Sequence, residues 1–357
     1  MSVVFLTRSF FPNIGGVEKH IYKLSEALTK KGIKVTILTE KSYSNNYQSQ
    51  SLSANQPENS NLNVITIDIG RNDWFKKFRI WKELLLKINL IKNADIVHAH
   101  DVYFWYFPFR FIFPFKKNFV TFHGYEGNNL PSFNAYLMHK VAEVLSNGNI
   151  CVGKFLEKWY KTKANFIIYG AVDKKLIESK VKENVNRYKG IFTGRLEHET
   201  GILEYLKAFK LLKDKNVATE LDIYGDGTLR EEAIKYAKKH KLKVFFKGFV
   251  QDTDSLFLNY GFALVSRYLG ILEAMASRIP VFAHYNNEIK KDYLEMTPFA
   301  GYIAISNDSG KIAEAIKSYL EHNQQSTAPA YNWVKTKSWE RITNIYLDLW
   351  NLNDLNK

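Results

Sequence analysis

Three short segments in the second half of the chain combine arginine, glutamate and glycine in a way that suits a phosphorylated ligand. Residues 193–196 read TGRL, and residues 224–227 read YGDG. The planar guanidinium of Arg195 can donate several hydrogen bonds to phosphate oxygens, although a salt bridge to Glu197 or Glu199 would also explain it. The segment that contains Gly225 and Gly227 lacks the third glycine of the dinucleotide fingerprint, so the NAD-binding interpretation is weak.

The third segment runs from a predicted strand into a helix and includes Leu269, Gly270 and Ile271. Free backbone amides at such a helix start can hold an anion. Glu273 lies one turn further in, where a carboxylate suits ribose hydroxyls better than phosphate. The alternative is that Glu273 is a carboxylate near a helix start, favoured by the helix dipole.

Histidines and glycines in the first half also follow predicted strands. His123 comes directly after the strand predicted at 119–122, where a ligand-facing residue is expected in a parallel sheet. His98 and His100 flank the end of the preceding strand. Without a third ligand of clear spacing we predict no metal site, and we interpret His98 as a buried core residue.

Gly15 and Gly16 follow the first predicted strand and begin a helix. They would let backbone N–H groups approach a ligand closely, and the alternative is an ordinary glycine-containing loop.

Strands and helices alternate along most of the chain. Strands are predicted at 3–7, 34–39, 64–69, 96–99, 119–122, 150–152 and 166–169, and then at 190–193, 220–224, 244–246, 263–265, 280–283 and 302–305. Continuous apolar strands separated by helices indicate parallel sheets covered on both faces. We therefore predict an α/β fold of two Rossmann-like domains facing each other across a cleft.

The charged stretch 172–189 separates the two series. We predict an N-terminal domain at 1–172, a C-terminal domain at 173–337 and a final segment, 338–357, whose helix packs on the body. The polar stretch 42–61 is predicted to be a mobile loop.

Composition narrows the class of protein. The 357 residues are 46% hydrophobic and include one cysteine, which excludes an intramolecular disulfide framework and a thiolate zinc cluster. No apolar run is long enough to span a membrane and no secretory signal is recognised, so we expect a cytoplasmic protein. The net charge is +14, and residues 1–170 carry 22 basic against 12 acidic side chains. This excess indicates an anionic partner.

Two segments, 74–87 and 103–117, interleave aromatic and basic residues. Such a face suits an anionic membrane surface, and core helices with solvated basic edges are the alternative. No nucleic-acid-binding module is recognised, so nucleic acid is not predicted as a partner.

The ordered set of motifs resembles a large family of two-domain (GT-B) retaining enzymes, the glycosyl transferases group 1, with a family 4-like first half. The resemblance covers nearly the whole chain and rests on residues 11–20 (FPNIGGVEKH), 95–100 (DIVHAH), 120–124 (VTFHG), 168–173 (IYGAVD), 193–196 (TGRL), 224–227 (YGDG), 272–281 (LEAMASRIPV) and 338–341 (SWER).

The resemblance implies transfer of a hexose from a nucleotide-sugar donor to a glycan or lipid-linked acceptor, with retained configuration, no metal and no cofactor. It also implies a peripheral place at the inner membrane face, a role in polysaccharide biosynthesis, and a final helix that crosses back onto the first domain. Arg195 would bind the diphosphate, Glu273 the ribose and His123 the transferred sugar, which makes His123 and Glu273 the catalytic candidates. The donor phosphates would lie near Gly16, and the remaining donor-binding candidates are Gly15, Gly225, Gly227, Leu269, Gly270 and Ile271.

The chain departs from the family pattern at two positions. Seven residues before Glu273, where the family carries another glutamate, stands Ser266 in a shortened segment. Thr200 replaces the usual lysine after the arginine. The alternative function is therefore a catalytically degenerate relative that binds a glycan, a nucleotide or a partner without turnover.

Overall fold

The computed structural model describes residues 1–11, 15–41, 61–70, 73–125, 130–180, 184–250, 253–322 and 327–351. The chain divides into two compact units. The first contains Met1–Gly127, Pro131–Ile168 and Trp339–Lys357, and the second contains chiefly Tyr169–Ser338. The loop predicted at 42–61 lies outside the described residues apart from Asn61.

The first unit is built on a parallel sheet of seven strands in the order β3-β2-β1-β4-β5-β6-β7. The strands are β1 (Ser2–Thr7), β2 (Lys34–Glu40), β3 (Leu62–Ile67), β4 (Ile96–His100), β5 (Lys117–Phe122), β6 (Asn149–Val152) and β7 (Phe166–Ile168). Its helices are α1 (Gly16–Lys30), α2 (Lys76–Leu86), α3 (Ile88–Asn93), α4 (Tyr103–Ile112), α5 (Phe133–Leu145) and α6 (Phe155–Tyr160). Strands β4 and β6 are buried along their whole length, as expected where helices cover both faces of a sheet.

The second unit has a parallel sheet of six strands in the order β10-β9-β8-β11-β12-β13. The strands are β8 (Lys189–Thr193), β9 (Glu220–Tyr224), β10 (Val244–Gly248), β11 (Phe262–Leu264), β12 (Val281–His284) and β13 (Ala304–Ser306). Its helices are α7 (Lys174–Ile177), α8 (Ile202–Asp214), α9 (Arg230–Lys239), α10 (Tyr268–Ala276), α11 (Glu288–Glu295), α12 (Ser309–His322) and α13 (Ala328–Val334), with short 3₁₀ turns at His198–Thr200, Leu256–Asn259 and Ala300–Tyr302.

The predicted fold class, α/β with two Rossmann-type sheets, is confirmed, and each of the thirteen predicted strands has its counterpart. The strand predicted at 302–305 begins instead at Ala304, because Ala300–Tyr302 forms a 3₁₀ turn.

The final helix, α14 (Trp339–Asn351), belongs to the first unit and packs against α1. Its buried residues recur at helical spacing and form one apolar face: Trp339, Ile342, Thr343, Tyr346, Leu349 and Trp350. The prediction that the C-terminal helix returns to the first domain is confirmed.

Each sheet has one place where the strand order reverses, between β1 and β4 and between β8 and β11. Chain connections leave in opposite directions there, so a crevice forms at the carboxyl ends of the strands, where ligands of open α/β sheets bind. Among the described residues, no helix is long and apolar enough to cross a membrane.

Candidate functional site

In the first unit, four histidines lie close together near the place where the strand order reverses between β1 and β4. His20 lies on α1, His98 and His100 on β4, and His123 follows β5. The Nδ1 atom of His100 lies 2.8 Å from Nε2 of His123. The rings of His98 and His100 stack with centroids 5.1 Å apart, and the rings of His20 and His123 meet edge to face at 4.9 Å. The sheet thus brings together residues that are up to about a hundred positions apart in the chain.

A directed chain of hydrogen bonds ties this cluster to α14. The indole of Trp350 donates to Nδ1 of His98 at 3.0 Å, and since an indole nitrogen can only donate, the proton of a neutral His98 lies on Nε2. His98 then donates to the hydroxyl of Thr121 at 2.8 Å. Thr121 lies 2.9 Å from the hydroxyl of Tyr346, which lies 3.0 Å from Nε2 of His20. With the Thr121 proton directed to Tyr346, Tyr346 donates to His20.

Burial keeps these imidazoles neutral. It lowers the pKa of His20 and of His98 from 6.5 to about 3. Burial and the neighbouring histidines hold the pKa of His100 and that of His123 well below their ordinary value. Nε2 of His100 is buried and has no hydrogen-bond partner in the described part of the chain. A bare lone pair costs less there than an orphaned N–H, so His100 carries its proton on Nδ1 and donates it to His123.

Asp101 sets the backbone position of His123. Its side-chain Oδ1 accepts from the backbone N–H of His123 at 2.7 Å, and its own N–H donates to the carbonyl of Thr121. Asp101 adopts φ 62°, which a residue other than glycine rarely does. The sequence places Asp101 directly after the His98-Ala99-His100 run, but only the pairing of β4 with β5 shows which amide it contacts.

Within the described ranges, no group of three or more histidine, cysteine, aspartate or glutamate side chains could hold a metal ion. The four histidines are held instead by hydrogen bonds and ring contacts to one another and to α14.

In the second unit, two arginines share one carboxylate where β8 and β11 end. Arg195 follows β8, and its Nη2 lies 2.8 Å from Oε1 of Glu199. Arg267 follows β11, and its Nη2 lies 3.2 Å from the same oxygen. The ion pair to Glu199 that the sequence offered as an alternative for Arg195 is thus present. The side chain of Arg195 nevertheless remains 66% exposed.

A buried lysine lies beneath these arginines. The ammonium of Lys290 on α11 donates to the carbonyl of Ser266 and lies 4.2 Å from the centroid of the Tyr293 ring. Burial, and next the charge of Arg267, lower the pKa of Lys290 well below its usual value. Tyr293 also accepts the backbone N–H of Tyr268, the first residue of α10, at 2.9 Å.

The start of α10 offers fewer amides than the sequence suggests. The N–H of Ile271 donates to the carbonyl of Arg267 within the helix, so it is not one of the free amides at the helix start. Leu269 and Gly270 occupy the first turn, where intrahelical acceptors are lacking. Glu273 is the sixth residue of α10 and is 4% exposed. It lies deeper in the helix than a helix-start carboxylate would.

Gly225 and Gly227 have a packing role that needs no ligand. A Cβ on Gly225, whose φ is +145°, would lie 1.9 Å from the carbonyl oxygen of Gly194. A Cβ on Gly227 would lie 2.5 Å from the carbonyl oxygen of Leu196. Only glycine therefore allows the loop after β9 to pack against the loop after β8.

Thr200 is a structural residue. It is 4% exposed, and its hydroxyl lies 2.6 Å from the carbonyl oxygen of Arg195 and 2.8 Å from that of Glu197. This closes the turn that carries Arg195, whereas a lysine at this position would bury its charge in the same space.

Gly15 is the N-cap of α1 with extended backbone, and a Cβ there would meet the flexible carboxylate of Glu18. Gly16 is different, because a Cβ on it would have no atom of the described ranges within 4 Å. Nothing in the described structure requires glycine at position 16, so close approach of a ligand remains a reason for it.

The two parallel Rossmann-type sheets of this chain, together with its structural neighbours, place it in the GT-B class of glycosyltransferase folds. The family model described as "Glycosyl transferases group 1" matches residues 173–335, and the model described as "Glycosyltransferase Family 4" matches residues 14–174. The second half of the chain therefore belongs to the group 1 glycosyltransferases, and the first half is of the family 4 glycosyltransferase type.

Solved structures share the fold at low sequence identity. Sucrose-phosphate synthase from Thermosynechococcus elongatus superposes with a TM-score of 0.74 at 15% identity, over 100% of both chains. A variant of TarM from S. aureus, solved with fondaparinux, alpha-GlcNAc-glycerol and UDP, gives a TM-score of 0.74 at 13% identity, over 98% of this chain and 99% of that one.

A short match links the chain to a eukaryotic relative. The chain is 51% identical over 39 residues to one of the subunits of phosphatidylinositol N-acetylglucosaminyltransferase in Arabidopsis thaliana. The match covers 11% of this chain and 9% of that protein.

Proposed function

We propose that the protein is a glycosyltransferase that moves a hexose from a nucleotide-sugar donor to a glycan or lipid-linked acceptor with retained configuration and without a metal. The observation that carries this proposal is the position of Arg195, an exposed guanidinium at the carboxyl end of β8, beside the reversal of strand order in a chain of this family. The leaving nucleoside diphosphate needs cationic and amide donors there.

Features of both units support the proposal. In the second unit, Arg195 lies on the same edge of the sheet as α10, which carries Glu273. In the first unit, Asp101 holds the backbone of the half-buried His123 and His100 contacts its ring, while burial keeps the imidazole neutral. A neutral, oriented imidazole can hydrogen-bond a sugar hydroxyl without adding charge to the reacting centre.

The second candidate is a relative that binds the donor without turnover. Three residues, 265–267, connect β11 to α10, and none of them carries a carboxylate. The loop expected to carry the family's first glutamate is therefore absent from this connection. A nucleotide sugar that binds but is neither transferred nor hydrolysed would favour this candidate.

The test is to screen UDP-, GDP- and ADP-glucose by saturation-transfer NMR and then to assay donor hydrolysis and transfer. We expect one nucleotide to bind. We expect Glu273→Gln to lower kcat/KM by about 10- to 100-fold, because a hydrogen bond from ribose to a charged group is lost. We expect Gly16→Ala to weaken donor binding about tenfold or more with an unchanged Tm, since the added methyl group meets no atom of the described residues.

Gly301→Ala is the matched control, because a Cβ on Gly301 likewise has no atom of the described part of the chain within 4 Å. Gly301 lies in the 3₁₀ turn before β13, at the opposite end of the strands from Arg195. If no nucleotide sugar contacts the protein, the proposed function is wrong. If the anomer formed has inverted configuration, the retaining mechanism is wrong although transfer stands.

We further propose that the first unit attaches to an anionic membrane through the face formed by α2, α4 and α5, which pack in a row. The aromatic side chains of these segments divide between the core and the surface. Trp105, Tyr106 and Phe109 are buried, whereas bulky apolar side chains elsewhere on this face are exposed, namely Trp74, Phe75, Phe78, Leu86, Phe111, Phe115, Phe133 and Val144. Exposed lysines such as Lys77 and Lys82 lie among them. Rings at the headgroup boundary beside cations suit an anionic lipid surface.

A further inference from the structure

Arg195 and Arg267 share a single carboxylate where β8 and β11 end, so this carboxylate compensates their two positive charges only in part. The two strands are hydrogen-bonded neighbours, so residues that follow them project from the same edge of the sheet. Oε1 of Glu199 accepts a hydrogen bond from Nη2 of Arg195 at 2.8 Å and another from Nη2 of Arg267 at 3.2 Å. Two guanidinium cations thus share one carboxylate as their ion-pair partner.

Both guanidiniums keep hydrogen-bond donors for a ligand. Each carries five N–H donors, and within the described part of the chain Glu199 is the only carboxylate paired with either. The side chains of Arg195 and Arg267 are 66% and 42% exposed, whereas that of Glu199 is 18% exposed. The carboxylate is thus the less exposed partner, and the cations are the accessible groups. Lys290 is not accessible to a ligand in the same way, because its ammonium is buried against the carbonyl of Ser266.

We propose that Arg267 binds the diphosphate of the donor together with Arg195, and that Glu199 is the positioning residue that aligns the two guanidiniums. This inference rests on the proposed function. A diphosphate presents oxygens on two phosphorus atoms, so two planar forks of donors match it better than one. Arg267 supplies the second cation that Thr200, buried in the turn after β8, does not provide.

The competing explanation is a surface ion-pair network that contributes only to folding. Exposed pairs of this kind stabilise a protein weakly, so a purely structural role predicts little change in ligand binding when Arg267 is replaced.

The experiment is isothermal titration of the full chain with inorganic pyrophosphate, with UDP, GDP and ADP, and with the corresponding nucleosides. We expect Arg267→Gln to weaken binding of pyrophosphate and of the accepted nucleoside diphosphate by about 10- to 100-fold, with nucleoside affinity unchanged. Arg267→Lys should recover part of this loss, because it restores the charge without the fork.

Lys243→Gln is the matched control. Lys243 is 68% exposed, pairs with Glu220 and precedes β10, at the opposite edge of the same sheet. Its replacement removes one positive charge and should leave all affinities unchanged.

The outcomes separate the two proposals. If Arg195→Gln weakens diphosphate binding while Arg267→Gln behaves like the control, the role of Arg267 is wrong and the proposed function stands. If Arg267→Gln lowers Tm and weakens diphosphates and nucleosides alike, its role is structural and the inference is wrong. If the unaltered protein binds neither pyrophosphate nor any of the diphosphates, the proposed function itself fails.

Discussion

At the scale of the residue, burial decides the protonation of the histidine cluster. His20 is 2% exposed and His98 is fully buried, yet each has specific hydrogen-bond partners. Their environment accepts the neutral imidazole and disfavours the cation, which is why the pKa of each falls to about 3. The cluster therefore acts as a rigid neutral support for His123.

This protonation predicts how stability changes with pH. Between pH 6.5 and about 3, the unfolded chain binds protons at His20 and His98 that the folded chain excludes. The free energy of unfolding should therefore fall as the pH is lowered through this window, by about 1.4 kcal/mol per pH unit for each histidine. Above pH 6.5 these two groups contribute no slope. Urea unfolding followed by tryptophan fluorescence, at about pH 7.5 and about pH 5, checks this.

His98→Gln removes one of the titrating groups. The slope of the unfolding free energy against pH should therefore decrease by the amount that corresponds to about one proton. His198→Gln, at an exposed histidine, is the matched control. Equal unfolding free energies at both pH values would show that the folded protein does not exclude these protons.

At the scale of the element, α14 completes the core of the first unit. Tyr346 and Trp350 reach from this helix to β4 and β5, where they contact His98 and Thr121. Helix α14 thus stabilises the strands that carry the histidines, although it comes last in the chain.

Tyr346→Phe tests this role. The change keeps the ring and removes a hydroxyl that lies between two buried partners, Thr121 at 2.9 Å and His20 at 3.0 Å. Leaving these partners unsatisfied should cost about 1–3 kcal/mol in the free energy of unfolding. Chemical denaturation at neutral pH measures it. Tyr302→Phe, on a partly exposed tyrosine of the second unit, is the control, and a loss below about 0.5 kcal/mol for Tyr346→Phe would contradict the hydrogen-bond chain.

At the scale of the whole molecule, charge and exposed apolar surface both concentrate in the first unit. Residues 1–170 hold ten of the fourteen net positive charges, and most of the strongly exposed aromatic side chains are found there. An apolar surface surrounded by cations favours an anionic bilayer as its partner, and a second copy of the chain would bring the same charges together.

Flotation with vesicles of phosphatidylcholine, with and without phosphatidylglycerol, tests the membrane proposal. We expect the protein to float with the anionic vesicles and to be released by salt, since screening weakens the attraction. Trp74→Ser with Phe115→Ser should reduce the bound fraction about tenfold or more, because the two side chains are 85% and 98% exposed and can enter the interface.

Phe245→Ser is the control on the second unit, where Phe245 is 45% exposed. Absence of flotation under all conditions would disprove the proposal. A dimer in solution that Trp74→Ser with Phe115→Ser dissociates would assign the same face to a second copy of the chain.

The sequence by itself determined the two parallel sheets, because buried strands and amphipathic helices differ in the period of their apolar residues. It also located the segments that follow the strands, and with them Arg195, His123 and Glu273. It could not show that Ile271 uses its amide within α10, or that Gly225 and Gly227 serve the packing of two loops. Those facts depend on atoms brought together by folding.

Tertiary structure alone decided the partners of the charged and titratable groups. Arg267 and Glu199 are 68 positions apart, and His98 and Trp350 are 252 positions apart. No local pattern joins such residues, because strand order and helix packing, which depend on the whole chain, bring them together. The sequence specifies which side chains stand at the ends of the strands, and the fold specifies which of them meet.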